Sequence, residues 1–409
     1  MSIRKGILCI AVSMITSATK LPLLRFACLL AGWLACGHTL HAQSPFLARL
    51  IKDTKPAVIA RANWALQQTP QTITAFRCDR SAGGLHDFYS EGDYWWPDPV
   101  KPDSPYIQRD GQTNPDNFVA HRLAMIKLSR IMGALAAGYV ASKDNTYLQH
   151  ALLHAKAWFE DPATRMNPSL LYAQAIKGRA TGRGIGIIDT IHLMEVVQAL
   201  RIMEKAGAIP AADLEAFRNW FTTYLEWLTT HPYGKDEMNA ANNHGTCWVM
   251  QVAAFARFVN NQALMDFCIN RYKTVLLPTQ MADDGSFPRE LKRTKPYGYS
   301  LFNLDAMSTI CQLLSTKENN LWQYTVENNR GMAKGIAFLS PYVKNKNTWP
   351  YAHDVMYWNN WPVAQPFLIF GAAAFQNADY YRLWRSLNPD PTEEEVLRNL
   401  PVRNPVIWF

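Results

Sequence analysis

The chain has 409 residues, of which 48% are hydrophobic and 12% aromatic, which is enough apolar material for a large core and too much for a disordered protein. The net charge is only +8, and no long run of Lys and Arg occurs, which argues against a nucleic-acid-binding protein. A large folded protein with another kind of partner is therefore expected.

Residues 1–42 have the pattern of an export signal peptide. They contain four cations and no acidic residue, and their apolar segment 26–35 is too short to span a bilayer. Cleavage is expected after Ala42, giving a periplasmic or secreted protein with no stable membrane span. A lipoprotein anchor at Cys36 is the alternative, although Trp33 fits that pattern poorly.

Cleavage of the leader would remove these four cations and lower the net charge. The remaining 37 Lys and Arg residues exceed the 33 Asp and Glu residues by four, so the mature chain is mildly basic. Such a charge suits a protein that binds an anionic polymer through a local cationic cleft. The sequence gives no indication of an oligomeric state.

The cysteines outside this leader are widely spaced, at Cys78, Cys247, Cys268 and Cys311. No CxxC pair occurs, which argues against a structural zinc site. Buried free thiols are the favoured interpretation, and one or two disulfides formed after export are the alternative.

Helical periodicity dominates residues 43–409. Segments 128–139, 214–224 and 248–259 each place apolar side chains at every third or fourth position. No series of alternating strands and hairpin turns is found, and the composition does not shift as it would at a linker. We therefore predict a single all-α domain of stacked helical hairpins, with loop residues lining a central groove.

Two long segments, residues 78–117 and 342–363, lack helical periodicity and are rich in Tyr, Trp, His and Asp. Long ordered loops in compact domains are usually functional. Aromatic faces stack on sugar rings, so these loops are expected to bind a glycan, although some of the aromatic side chains would instead plug the ends of the ring. The substrate-binding candidates from these loops are Tyr94, Trp95, Trp96, His353, Tyr357 and Trp358.

The segment NNHGTCW, residues 242–248, precedes an apolar helical face that begins at Trp248. One asparagine suffices to cap a helix. The pair Asn242 and Asn243, followed by His244, therefore offers one amide and one imidazole that capping does not explain. They are candidates for binding or catalysis.

Residues 283–307 combine cations with tyrosines just before a predicted helix, namely Arg289, Lys292, Arg293, Lys295, Tyr297 and Tyr299. Elimination on a uronic acid needs such groups. An amide or cation must neutralise the carboxylate, a base must take the C5 proton, and an acid must protonate the departing O4. A neighbouring arginine is expected to favour the ionised form of a tyrosine. A solvated basic loop is the alternative interpretation.

A further segment, residues 172–183, combines cations with glycines. Its side chains are expected to line the groove and meet carboxylates, through Gln174, Lys177, Arg179 and Arg183.

Five segments in order make the chain resemble the alginate lyase family of polysaccharide lyases over roughly residues 80–375. They are HDFYSEGDYWWPDP, YIQRDGQTNPD, LYAQAIKGRATGRGIGIIDT, NNHGTCW and DDGSFPRELKRTKPYGYSLFNLDAM. The resemblance implies an incomplete α/α toroid and cleavage of 1,4-linked uronans by β-elimination. Mannuronate-rich alginate is the expected substrate, with some tolerance for glucuronan.

The resemblance also implies roles for individual residues. Asn243 would be the amide that neutralises the carboxylate, and His244 would be a base or a second neutralising group. Arg293 would lie near the reacting Tyr299, which would act as acid and perform the base step as well in the simplest version. The spacing of these two residues is one shorter than the family pattern, which leaves Tyr297 as a rival. Tyr299 is favoured because it lies closer to the helix.

Other functions remain to be weighed. The pairs at residues 86–87 and 353–354 join His to Asp but lack metal-ligand spacing, and no nucleotide motif occurs, so no metal or organic cofactor is expected. A glycoside hydrolase on a similar helical ring would need two opposed carboxylates. Candidates for these are Asp87, Asp93, Asp283 and Glu290. A non-catalytic glycan-binding protein would keep the aromatics without needing His244 and Tyr299 together.

Overall fold

Helices dominate the computed structural model, which describes residues 45–409. The predicted signal peptide and its cleavage site lie outside the described residues. The helices of this range are α1 (Pro45–Leu66), α2 (Ala120–Ser142), α3 (Thr146–Phe159), α4 (Leu193–Lys205), α5 (Ala211–Thr230), α6 (Pro232–Met238), α7 (Asn243–Phe258), α8 (Gln262–Arg271), α9 (Leu277–Gln280), α10 (Pro288–Leu291), α11 (Pro296–Leu314), α12 (Met332–Lys344), α13 (Pro366–Ala374), α14 (Ala378–Ser386) and α15 (Glu394–Arg398).

Strands in this part of the chain are few and short. They are β1 (Tyr89–Glu91), β2 (Trp95–Trp96), β3 (Ile107–Gln108), β4 (Tyr172–Ala175), β5 (Thr325–Val326) and β6 (Arg330–Gly331). β1 pairs in parallel with β4, while β2 with β3 and β5 with β6 form antiparallel pairs. The first two pairs lie in the segments that the sequence marked as functional, and they hold those loops in defined positions.

The longer helices form two layers. In the inner layer, α2 packs on α4, α4 on α7, α7 on α11 and α11 on α13. In the outer layer, α1 and α3 pack on α2, α5 and α8 pack on α7, and α12 and α14 pack on α13. This arrangement confirms the predicted all-α fold, an incomplete α/α toroid.

The burial of each helix follows its layer. Every residue of α11 except Gln312 is buried, whereas only Tyr381 and Trp384 are buried in α14. A helix that is packed on all sides is largely apolar all round, although α11 also buries Asn303 and Asp305, while an outer helix needs only one apolar face. Burial of a large apolar side chain contributes roughly 1.5–3 kcal/mol, so the inner layer supplies much of the stability.

One described helix, α2, is long and apolar enough to cross a membrane by length and composition alone. Of its apolar window, 72% is buried inside the protein. Core helices of soluble proteins have the same property, so α2 gives no indication of a stable membrane span.

The described cysteines are unpaired. Cys247, Cys268 and Cys311 are buried free thiols, and Cys78 is a half-buried free thiol. Burial raises the pKa of the Cys268 and Cys311 thiols to about 12, so both stay protonated at neutral pH. This arrangement corresponds to the favoured interpretation of the sequence.

Candidate active site

A cleft with about 650 Å³ of open space lies where β2, the loop after β3, the start of α7 and the start of α11 meet. Nine of the side chains expected to bind or react line it: Tyr94, Trp95, Gln174, Arg183, Asn242, Asn243, His244, Arg293 and Tyr299. Eight further residues complete the lining: Asp93, Gln108, Asp110, Ile185, Ile188, Phe302, Arg398 and Asn399. The fold thus brings together segments more than 200 residues apart.

The two asparagines at the start of α7 have different tasks. Asn242 is the helix cap, since its side-chain oxygen accepts a hydrogen bond from the backbone N–H of His244 at 3.4 Å. Asn243 is held by Glu290, whose carboxylate accepts the backbone N–H and the side-chain Nδ2 of Asn243, both at 2.7 Å. Glu290 therefore fixes the orientation of the Asn243 amide, and the second Nδ2 hydrogen remains as a donor for a ligand.

Glu290 itself is only 1% exposed. Burial raises the pKa of its carboxyl, although the bonds from Asn243 lower it in part. The two acceptor oxygens thus lie at the N-terminus of α7, where the helix dipole favours negative charge.

His244 is oriented by a second buried carboxylate. Its Nδ1 lies 2.7 Å from Oε1 of Glu237, near the end of α6. The side chain of His244 is 15% exposed and that of Glu237 is 3% exposed. The imidazole is therefore anchored on one nitrogen while its ring borders the cleft.

Tyr299 lies in the first turn of α11 and points its hydroxyl to that of Tyr94, at 2.8 Å. The guanidinium of Arg293 lies 4.7 Å from the centre of the Tyr299 ring, within cation–π distance. Burial, with the nearby Tyr94, raises the pKa of Tyr299 well above its ordinary value, although Arg293 lowers it in part. The arginine thus favours the ionised form of Tyr299 as expected, but desolvation outweighs its effect, so the net shift is upward.

Arg293 is fixed by Asp110 of the loop after β3. The carboxylate accepts Nη2 at 2.8 Å and Nε at 3.3 Å, and it also accepts the hydroxyl of Thr294 at 2.9 Å. Burial lowers the pKa of Arg293, but the bond to Asp110 more than offsets it, so the guanidinium stays charged. Gly111 permits this approach, since it has a φ of +74° and a Cβ there would meet the Thr294 hydroxyl at 2.3 Å.

A buried charge network supports the tyrosine pair. Lys295 and Arg398 both bind the carboxylate of Glu395, and Arg398 also binds Asp93 at 3.0 Å. The Lys295 ammonium lies 4.8 Å from the centre of the Tyr94 ring and 5.4 Å from that of Tyr299. Helix α15 carries Glu395, which therefore holds the Lys295 ammonium over the rings of Tyr94 and Tyr299.

Asp93, from the loop before β2, closes this network. Although burial raises its pKa, the charges of Arg122 and Arg398 outweigh that effect and lower the pKa to about 2. Asp93 is thus ionised, and its carboxylate is bound by Arg122 and Arg398.

The helix that carries Tyr299 is capped by Asp354. The carboxylate accepts the backbone N–H groups of Tyr297 at 2.8 Å and of Gly298 at 2.9 Å. Burial raises the pKa of Asp354 from 3.8 to about 6, although these two bonds lower it in part. The cap therefore titrates just below neutral pH.

Replacing Asp354 by Asn should flatten the pH dependence of stability. Because the pKa is higher in the folded state, ionisation between about pH 4 and pH 6 disfavours folding, and the free energy of unfolding falls as pH rises through that window. This difference of roughly two pKa units is worth about 3 kcal/mol. Urea titrations of both proteins across this range would measure the difference, and parallel pH profiles would contradict it.

The chain also matches the sequence model of a known protein family. The alginate lyase family model matches residues 72–349, well over half of the chain. The chain belongs to the alginate lyase family. This lyase is also similar to the crystal structure of an alginate lyase from Bacteroides ovatus, with 30% sequence identity and a TM-score of 0.76 over 89% of this chain and 97% of that one.

More distant solved structures share the fold of the lyase. A variant of alginate lyase A1-III, complexed with a tetrasaccharide, is 17% identical with a TM-score of 0.56 over 86% of this chain and 94% of that one. Alginate lyase A1-III from Sphingomonas species A1 is 18% identical with a TM-score of 0.50 over 79% and 88% of the two chains. None of the curated protein sequences compared matches the chain.

Tyr297 of the lyase does not lie in the cleft. Its side chain is 0% exposed, its ring packs between Trp349 and Trp358, and its hydroxyl donates to the carbonyl of Tyr342 at 3.2 Å. The interpretations of Tyr297 as a substrate-binding residue and as a rival of Tyr299 are therefore corrected, because its ring belongs to the core.

Three aromatic candidates of the second loop lie outside the lining of the cleft. His353 and Trp358 stack on each other with ring centres 4.0 Å apart, and Trp358 in turn packs on Tyr297. Tyr357 lies 5.4 Å from the Lys295 ammonium. His353 is exposed and Trp358 is half-buried, and neither side chain lines the cleft in which the other candidates meet.

The remaining candidates lie at the rim or on the surface. Lys177, Arg179 and Arg289 are exposed, and the Arg179 guanidinium lies 5.4 Å from the Trp95 ring centre. Trp96 is half-buried, with its Nε1 donating to the carbonyl of Gln112. None of these four residues lines the cleft.

The structure adds candidate site residues that sequence analysis missed. Asp110 and Gln108 lie in the segment YIQRDGQTNPD, which is one of the five that carry the family resemblance. The polar residues of that segment are the sequence signal that could have identified them. Glu237 and Arg398 lie in helical stretches with no local pattern, and only their contacts identify them. The hydrolase carboxylates form no opposed pair here, because Asp93 alone of the four lines the cleft and it is bound to arginines.

In residues 45–409, no group of three or more His, Cys, Asp or Glu side chains could hold a metal ion. His86 and Asp87 have protein partners instead, in the carbonyl of Arg165 and the side chain of Asn167.

Proposed function

We propose that the protein cleaves mannuronate-rich, 1,4-linked alginate by β-elimination and leaves a 4,5-unsaturated sugar at the new end. The observation that carries this proposal is the convergence of Tyr299, Asn243, His244 and Arg293 on one cleft. These are the residue types that elimination on a uronate requires. Glucuronan is proposed as a weaker substrate.

The first requirement is neutralisation of the substrate carboxylate. The C5 proton becomes acidic only when the negative charge that develops beside it is stabilised. The free Nδ2 hydrogen of Asn243 and the guanidinium of Arg293 supply a donor and a charge, and both are preorganised by carboxylates, Glu290 and Asp110. Arg183, which also lines the cleft, adds positive charge.

The second requirement is proton transfer. Burial raises the pKa of Tyr299 and keeps its hydroxyl protonated, which suits the acid that protonates O4. To serve as base as well, Tyr299 must first lose that proton, and Arg293 is the neighbouring charge that favours the loss. No metal or organic cofactor is needed in this proposal, since side chains provide each function.

Ring stereochemistry supports the substrate preference. In mannuronate and glucuronate, the C5 proton and O4 lie on the same ring face, so Tyr299 can act on both. In guluronate the C5 proton and O4 lie on opposite ring faces, so a second group must take the proton. Our hypothesis is that His244 is this group. C2, where mannuronate and glucuronate differ, is remote from the bond that breaks.

Purified mature protein should cleave polymannuronate fastest, glucuronan more slowly and polyguluronate least. The rise in ultraviolet absorbance from the unsaturated product would measure all three rates under one set of conditions. Activity confined to polyguluronate would overturn the proposed substrate and the role of Tyr299 on a single ring face.

We also propose export to the periplasm or the medium, on the basis of the pattern in residues 1–42. Mass spectrometry of the native protein should find an N-terminus near Gln43. An acylated N-terminus at Cys36 would contradict this and indicate a lipoprotein.

A further inference from the structure

The hydrogen bond between Glu237 and His244 has a chemical consequence for the cleft. A carboxylate in its ionised form can only accept, so the 2.7 Å contact places a proton on Nδ1 of His244. Nε2 has no hydrogen-bond partner among the described residues. In the neutral imidazole, Nε2 therefore carries the lone pair, and the ring borders the cleft.

The junction of α6 and α7 makes this contact rigid. Glu237 lies one residue before the end of α6, and His244 is the second residue of α7. Gly245 allows the turn between them to approach α7 closely, because a Cβ there would meet the carbonyl oxygen of Ala240 at 2.2 Å. Arg271 ties the same turn down by donating to the carbonyl of Met238.

We propose that Glu237 is a positioning residue that sets the tautomer of His244, so that His244 acts as the base on guluronate rather than as a donor to the substrate carboxylate. This inference rests on the proposed function. A neutral His244 in this tautomer cannot donate from Nε2, so carboxylate binding falls to Asn243 and Arg293. Their donors are already fixed for that purpose.

The elimination step balances with these groups alone. Nε2 of His244 takes the C5 proton, and the electron pair of the C–H bond forms the C4–C5 double bond. O4 leaves with the electron pair of the C4–O4 bond and takes the proton of the Tyr299 hydroxyl. The imidazolium then returns its proton to the tyrosinate through solvent, and Glu237 offsets the imidazolium charge while it exists.

Two variants of similar size separate the tautomer from other effects. Glu237→Gln keeps an acceptor oxygen for Nδ1–H but loses the charge, whereas Glu237→Met removes the acceptor. Removing one partner of a buried pair lowers stability, so a melting curve must show that Glu237→Met is folded at the assay temperature before its tautomer and kinetics are compared with those of Glu237→Gln. Nitrogen-15 NMR of labelled histidines reads the tautomer in the resting protein, and His244→Gln identifies the signal.

Glu237→Gln should retain the Nδ1–H signature of His244, and Glu237→Met should lose it. The Met variant should also lose ~10²–10⁴-fold in kcat on polyguluronate, as expected for a misplaced general base, with a much smaller loss on polymannuronate. Its KM should change little, since carboxylate binding is assigned to other groups.

Several results would overturn the inference. An Nδ1–H signature that survives in Glu237→Met would refute control of the tautomer. Equal losses on both polymers, or a wild-type protein that does not cleave polyguluronate at all, would refute the base assignment. The NMR arm needs no substrate, so it decides the role of Glu237 even if the absorbance assay shows that the proposed function is wrong.

Discussion

Replacing Tyr299 by Phe is expected to lower kcat by at least ~10²–10⁴-fold, the usual worth of a general acid–base group. The variant removes one hydroxyl and keeps the ring that lies against Arg293 at 4.7 Å. Substrate binding should therefore persist, with KM within a few-fold of wild type. Steady-state kinetics on polymannuronate, with binding measured separately by calorimetry, would establish the split.

Tyr297→Phe is the matched control, because it makes the same change two residues away. The lost hydroxyl donates to the carbonyl of Tyr342 in the core, so the cost should be about 1 kcal/mol of stability with nearly unchanged kcat. If Tyr297→Phe abolished turnover while Tyr299→Phe did not, the assignment of the reacting tyrosine would be wrong.

Replacing Glu395 by Ala is expected to lower the free energy of unfolding by about 3–5 kcal/mol, because it leaves the buried Lys295 without its carboxylate and removes one of the two carboxylates that bind Arg398. The side chains of Lys295 and Glu395 are 3% and 4% exposed, and that of Arg398 is 14% exposed. Since Lys295 lies over the rings of Tyr94 and Tyr299, activity should fall as well. Urea denaturation would measure the stability, and the absorbance assay would measure the activity.

An exposed ion pair provides the comparison. The side chain of Arg382 is 67% exposed and that of its partner Asp379 is 80% exposed, so Arg382→Ala should cost at most about 1 kcal/mol and leave activity unchanged. If both variants lost the same small amount of stability, the buried network would not hold the tyrosine pair as described.

The helical layers were predictable because periodicity is local information. A helix buried on all sides, such as α11, and a capped helix start, such as that at Asn242, leave direct marks in the sequence. The distinction between Tyr297 and Tyr299 was also latent there. Two residues along a helix are separated by roughly 200°, so if one faces the cleft the other faces the core. The sequence did not show at which residue α11 begins, and therefore did not show which tyrosine faces the core.

The partners of the candidate reacting groups could not be predicted in the same way. Glu237, Glu290 and Asp110 each fix a residue from another segment, and no local pattern distinguishes them from solvated carboxylates. Long-range contacts likewise determine whether the aromatic residues of the second loop, residues 342–363, can line the cleft. His353 and Trp358 look like sugar-binding side chains in the sequence, but they stack on each other away from the cleft, and Trp358 also packs on the core residue Tyr297.

The central claim is that the protein cleaves its polymer by elimination rather than by hydrolysis. The most direct measurement is mass spectrometry of the fragments released from polymannuronate by chelator-treated protein, recorded together with ultraviolet absorbance. Each fragment with a new non-reducing end should be lighter by one water than the hydrolysis product, and absorbance should rise in proportion to the number of cuts. Fragments with the mass of hydrolysis products and no rise in absorbance would contradict the account, as would activity that a divalent ion had to restore.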